Sequence, residues 1–250
     1  MVGHRGAAAL APENTLEAFR VAVGLGVDLV ELDVLALDSG PLVVAHSDRL
    51  EEITHGALRG RVGSRSLSEL REVAPELPTF DETLAWFETE APEVGIQVDL
   101  KTRVRLDDVA ASLETHGVAR RSLVSSPFAD DLVAIGRASS NVRLGLTYPL
   151  DRHEVSRRRA LQPVIRGGLS CLRATLPRRL PRLVRTPGAA VLLLQHRLVS
   201  RAAVERAHAA GVHVFAWTVD EPADIERVVT AGVDAVITND PGSLLATLAA

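Results

Sequence analysis

Along this chain, short apolar runs alternate with stretches whose apolar positions recur at helical spacing. Val2-Gly3-His4 is a brief first run. Pro12-Glu13-Asn14 leads into a helix with Leu16, Phe19 and Val23 on one face, ending at Gly24 or Gly26. Val27, Leu29, Val30, Leu32, Val34 and Leu35 make the next run, apolar enough for a buried parallel strand over 28–34. Asp38-Ser39-Gly40 is a turn, and 41–46 is extended again. So short a link excludes a parallel crossover and predicts an antiparallel hairpin, with Glu31 and His46 roughly opposite if the turn centres on Ser39. Residues 47–65 read as loop. Ser66…Glu69 and Thr79…Glu82 have the capping-box spacing, so each opens a helix. Strands then follow at 96–101, 122–126, 142–146, 190–195, 212–217 and 235–238. Helices are predicted between them at about 106–116, 129–139 and 198–210, then one capped by Asp220 and ended by Gly232, and a last one at about 242–249. The arginine- and proline-rich stretch 151–187, with Arg157-Arg158-Arg159 and Arg178-Arg179, reads as a solvated outer helix face. A membrane or nucleic-acid patch is the lesser reading.

Leaving out the hairpin arm, the strands number eight, the count of a (β/α)8 TIM barrel with a β-hairpin after strand 2, in one domain over 1–250. A doubly wound α/β sheet is the rival, but no glycine-rich phosphate fingerprint follows an early strand. The length of 250 residues and 46% hydrophobic content suit a large core. A formal net charge of −4 speaks against a nucleic-acid partner. Cys171 is the only cysteine, so neither a disulfide nor a thiolate cluster is available within the chain. No apolar run reaches the about 18 residues of a spanning helix, and no signal-peptide pattern opens the chain, so a cytoplasmic protein is expected. Oligomeric state is not legible.

The candidate chemistry begins with Glu31 and Asp33. Spaced i, i+2 on a strand, they share one face. Two carboxylates in an apolar run repel each other and are costly to bury, unless a cation lies between them. A solvated strand face is the bland alternative. Barrel enzymes place their chemistry at the C-terminal ends of strands. The polar residues there are His4, Arg5, Glu31, Asp33, Asp99, Lys101, Ser125, Ser126, Gln195, His196, Trp217, Thr238 and Asn239, with His46 joining through the hairpin. Oxygen ligands suit a hard cation, Mg²⁺ or Ca²⁺. Arg5 and Lys101, the chain's sole lysine, imply an anionic substrate such as a phosphate ester. Two histidines suit proton transfer near neutral pH.

His4-Arg5-Gly6, Pro12-Glu13-Asn14-Thr15, Glu31-Leu32-Asp33-Val34 and Pro41…His46 resemble the glycerophosphodiester phosphodiesterase family of the PLC-like phosphodiesterase superfamily. The likeness continues through Leu77–Glu82, Val98–Lys101, Ala216–Asp220 and Gly232–Pro241, and is weakest over 147–190. It implies a PLC-like barrel with a divalent metal on Glu31, Asp33 and Asp99. It also implies an acid–base pair of His4 and His46, phosphate contacts from Arg5 and Lys101, and Trp217 lining the glycerol end. Glu13 and Asn14 would order the loop after strand 1, Asn14 as a helix cap. The implied activity is hydrolysis of a small-molecule phosphodiester. Lysophospholipid cleavage or a silent phospho-ligand-binding barrel are the alternatives. Asp99 stands where the family usually has Glu, Ser39 and Ser47 where it has Asp, and Pro127 separates the expected Ser-Phe pair. Of the remaining histidines, His55, His116, His153, His196, His208 and His213 read as structural.

Overall fold

A computed structural model describes residues 1–54, 56, 58–150, 162–185 and 188–249, without the side chains of 162–166. Eight parallel strands close on themselves: β1 (Val2–Gly3), β2 (Leu29–Ala36), β4 (Gly95–Leu100), β5 (Ser122–Ser126), β6 (Arg143–Tyr148), β7 (Val191–Gln195), β8 (His213–Trp217) and β9 (Ala235–Thr238). Closure runs through β1, whose Val2 lies between Leu29 and Ile237. The ninth strand, β3 (Leu42–Val44), pairs antiparallel with the end of β2 and lies outside the ring. The fold is the expected TIM barrel.

Because side chains alternate along a strand, each barrel strand builds two cores. Outward positions pack Val30, Leu32, Ile96, Val98, Val124, Leu192, Leu194, Val214 and Ala216 under the helices. Inward positions fill the barrel with Val2, Leu123, Val191, Leu193 and Ile237, joined by Phe215 and Trp217. The helices start where the sequence places them. Ser66 and Thr79 close full capping boxes with Glu69 and Glu82, opening α3 (Leu67–Val73) and α4 (Phe80–Glu90). The later helices α5 (Leu106–Thr115), α6 (Ala129–Ala138), α8 (Arg201–His208), α9 (Pro222–Thr230) and α10 (Pro241–Ala249) fall within a few residues of expectation.

Several local expectations fail for physical reasons. Residues 47–65 hold a one-turn helix, α2 (Leu50–Ile53), because Leu50 is buried in a small separate core with Leu35, Leu37, Val43, Val62 and Leu70. The hairpin pairs Val34 with Val44, and its last bond runs from Ala45 N–H to the Asp33 carbonyl, so His46 leaves beside Asp33 instead of facing Glu31. Asn14 does not cap α1 (Leu16–Gly24); Thr15 does, accepting from Ala18 N–H. Asp220 does not cap α9 either, where Glu221 holds the cap position without a side-chain bond. The arginine-rich region contributes a helix, α7 (Gln162–Leu183), with Arg178 and Arg179 exposed; Arg157-Arg158-Arg159, His153 and His55 lie outside the described residues. No helix among the described residues is long and apolar enough to cross a membrane.

Candidate active site

The site starts at the tight turn after β1. Gly6 has φ +89°, and a Cβ there would meet the Ala18 backbone at 2.6 Å, so only glycine lets this loop lie on α1. Arg5 and Asn14 also take left-handed backbone, at φ 50° and 60°, a strained state that clusters at functional sites. Their partners explain the strain. The Arg5 backbone N–H donates to Glu31 Oε2 at 2.8 Å. Its guanidinium spans Glu13, at 2.8 Å to both oxygens, and Asp33 Oδ2 at 3.1 Å. Asn14 Nδ2 donates to Asp33 Oδ2 at 2.8 Å, and its Oδ1 accepts from Asp33 N–H at 3.1 Å.

Adjacent strands supply the acids. The β2–β4 register sets Asp33 beside Asp99, and oxygens of Glu31, Asp33 and Asp99 lie within 4.8 Å of one another. Lys101 Nζ sits 3.0 Å from Asp33 Oδ1 and bonds Asp99. Ser125 Oγ donates to the other Asp99 oxygen at 2.6 Å, which fixes the shorter side chain. Burial and the neighbouring Asp33 and Asp99 push Glu31 well above the usual carboxylate range. Burial alone would also raise Asp33, but Lys101 and Arg5 overrule it and hold Asp33 far below. Lys101 is buried too, yet Asp33 and Asp99 keep it firmly charged. The donor set fits a hard divalent ion: three buried carboxylates from two strands, oxygen only, at a spacing that bonds of about 2.3–2.6 Å can bridge. A cation between these oxygens would offset both the burial of Glu31 and its repulsion by Asp33 and Asp99.

The imidazoles flank this cluster. His4 Nδ1 lies 2.7 Å from Asn239 Oδ1. Asn239 is itself clamped by Asp220, which accepts from its backbone N–H at 2.8 Å and its Nδ2 at 2.7 Å. The amide oxygen is therefore an acceptor, so His4 donates through Nδ1–H and turns a bare Nε2 towards Glu31, 3.9 Å away. Burial, with the Arg5 charge, pulls His4 down to about 4. Burial also lowers His46.

A cavity of about 480 Å³ opens over these groups, the size of a small-molecule site. His4, Arg5, Glu31, His46, Asp99, Lys101 and Trp217 line it, while Asp33, 1% exposed, backs the cluster from below. Five lining residues carry shielded polar atoms without a hydrogen-bond partner among the described residues: Arg5 Nε, His46 Nδ1, Gln97 Oε1, Thr147 Oγ1 and Trp217 Nε1. Phe128 completes one wall with the Arg103 guanidinium 4.1 Å above its ring. Arg103 is tied to Asp131, which also holds Ser126. Pro127 therefore leaves Phe128 at the cavity.

Sequence reasoning missed the roles of Asn14, Asp220, Gln97 and Thr147. Asn14 and Asp220 carry cap-like signals, which hid that each reaches a site residue instead. His116, His196, His208 and His213 lie against carboxylates elsewhere: Asp81 and Glu88, Asp224, and Asp234 for the last two.

Residues 4–243 match the family described as glycerophosphoryl diester phosphodiesterase. A glycerophosphodiester phosphodiesterase of Caldanaerobacter subterraneus is 25% identical, over 98% of this chain and 96% of the relative. The fold superposes on a Silicibacter pomeroyi crystal structure with TM-score 0.80 at 22% identity, covering 99% and 92% of the two chains. It also superposes, with TM-score 0.73 at 21% identity and coverage of 100% and 96%, on an Oleispira antarctica phosphodiesterase in complex with the product sn-glycerol-3-phosphate.

Proposed function

The chain belongs to the glycerophosphoryl diester phosphodiesterase family, and from that premise we propose that it hydrolyses a glycerophosphodiester to glycerol 3-phosphate and an alcohol. The observation that carries this reading is the meeting of a three-carboxylate cluster with two imidazoles and a half-buried lysine at one cavity.

Glu31, Asp33 and Asp99 would hold a divalent cation, Mg²⁺ or Ca²⁺. When bound, it supplies Lewis-acid polarisation of the phosphoryl oxygens. The chain's own groups do the rest. Lys101 and Arg5 border the cluster and attract the phosphate anion. His4, with its bare Nε2, and His46 form the proton-transfer pair: one takes the proton of the attacking oxygen, the other protonates the leaving alkoxide. Glycerol hydroxyls both donate and accept. That matches Trp217 N–H, the Thr147 hydroxyl and the Gln97 carbonyl in the wall, with Leu193 and Ile237 against the carbon chain.

Hydrolysis of a panel of glycerophospho-alcohols by wild type and His46→Ala, with and without EDTA, tests this. Loss of activity in either condition of removal supports it. Activity that survives both the substitution and the chelator sinks it.

A further inference from the structure

We infer that Glu52 is the positioning residue for His46: its carboxylate faces the Nδ1 side of the imidazole and so turns Nε2 to the cavity. Glu52 Oε2 lies 3.5 Å from His46 Nδ1, a nitrogen shielded from solvent that makes no hydrogen bond among the described residues. Apo contacts of this kind are commonly long and tighten when substrate binds.

Among the described residues, the local chain offers no other support. Ser47, next to His46, spends its hydroxyl accepting from Arg49 N–H at 3.2 Å. It cannot present the carboxylate that the family resemblance expects at that position. The acid comes instead from one turn further on. α2 is held in place by Leu50, 1% exposed, whose N–H donates to the Gly60 carbonyl at 2.9 Å. Two residues along that turn, Glu52 reaches back to the ring, with Arg49 Nη1 3.9 Å from its second oxygen.

The two imidazoles are thus held by different chemistry. His4 donates to a neutral amide, Asn239, while His46 faces an anion. The other charged groups acting on His46 are Asp33 on β2, Arg5 and Glu13 on the β1–α1 loop, and Lys101 after β4. None of them is within ion-pair distance of the ring among the described residues. Glu52 therefore sets which nitrogen carries the proton, a condition for efficient transfer through the other.

The inference rests on the reading of His46 as a proton carrier in phosphodiester hydrolysis. The test combines side-chain ¹⁵N NMR of His46 with steady-state kinetics for wild type, Glu52→Gln and Glu52→Ala. The wild-type ring is expected as the Nδ1–H tautomer. In Glu52→Ala that tautomer falls and kcat drops about 10–100-fold with KM nearly unchanged, the scale for loss of an outer carboxylate on a site imidazole. Glu52→Gln keeps an acceptor without the charge, so it retains the tautomer and falls between the two in kcat. It is also isosteric, which keeps the test valid should the alanine variant unfold. In Glu52→Ala, a change in only one readout, or in neither, overturns the inference. So does an equal kcat loss in both variants accompanied by weaker Mg²⁺ binding, since that assigns Glu52 to packing. If wild type cleaves no glycerophosphodiester, the functional reading fails, yet the tautomer still decides whether Glu52 holds His46.

Discussion

Replacing Lys101 by Met removes one of two cations that balance three buried carboxylates. The lysine Nζ lies 3.0 Å from Asp33 Oδ1 and also bonds Asp99; Asp33 is 1% exposed, so cavity water reaching it through the space Lys101 leaves is a poor substitute for the ammonium. Removing one partner of a buried ion pair costs about 3–5 kcal/mol. Arg5 remains on the other Asp33 oxygen at 3.1 Å, which places the metal-free loss near the lower end, about 3 kcal/mol. For a chain of this size that is roughly 6–12 °C in melting temperature. A divalent ion replaces the missing charge, so the loss shrinks when the ion is present. A ligand at 100 times its Kd already adds about 2.7 kcal/mol, and its affinity rises when a competing ammonium is gone. Thermal melts of wild type and Lys101→Met, in EDTA and in saturating Mg²⁺ or Ca²⁺, give four temperatures. The variant should melt far lower in EDTA and show the larger metal-induced rise. Equal melting in EDTA, or the same metal shift in both proteins, would refute the charge-balance argument.

Two further outcomes follow from hydrogen bonds described above. Asn14→Ala strips two bonds from buried Asp33 and leaves alanine at φ 60°, so urea melts should show a loss of about 2–4 kcal/mol; an unchanged midpoint contradicts it. For pH, burial would raise Asp234, but Val214 N–H, His208 and His213 hold it below the ordinary carboxylate value. Its contribution to stability is therefore complete above the unfolded carboxylate pKa and is lost as pH falls through the lower folded one. Asp234→Asn should flatten that acid limb of the denaturation midpoint against pH, and an unaltered limb counts against the pairing.

Much of the barrel was legible because its signals are local. Short apolar runs mark β2 and β4 to β9, and Ser66…Glu69 and Thr79…Glu82 close real capping boxes. Glu31 and Asp33 stood out because carboxylates in an apolar run demand a partner. The failures are long-range. Asn14 and Asp220 look like caps from their neighbours, but their side chains travel to Asp33 and Asn239, which are distant in sequence. Helix α2 is too short for a period and exists only because Leu50 finds a core. Helix α7 was expected as an outer helix, but Pro177, Pro181 and its arginines hid its bounds. Gln97 and Thr147 are single polar residues in apolar strands, and nothing in the spacing tells which face they take.

The two imidazoles belong to parts of the molecule with separate foundations. His4 follows the barrel's own closing strand, while His46 rides on the hairpin excursion, which packs around its own small core of Leu37, Val43, Leu50, Val62, Leu70 and Leu77. β3 itself is tied to the barrel, with Leu42 and Val44 in the main core, but residues 47–77 beyond it can change in length, or in the residue that steadies His46, with less demand on the barrel beneath. The arrival of an acid at Glu52 when Ser47 holds none is the sort of trade such independence permits.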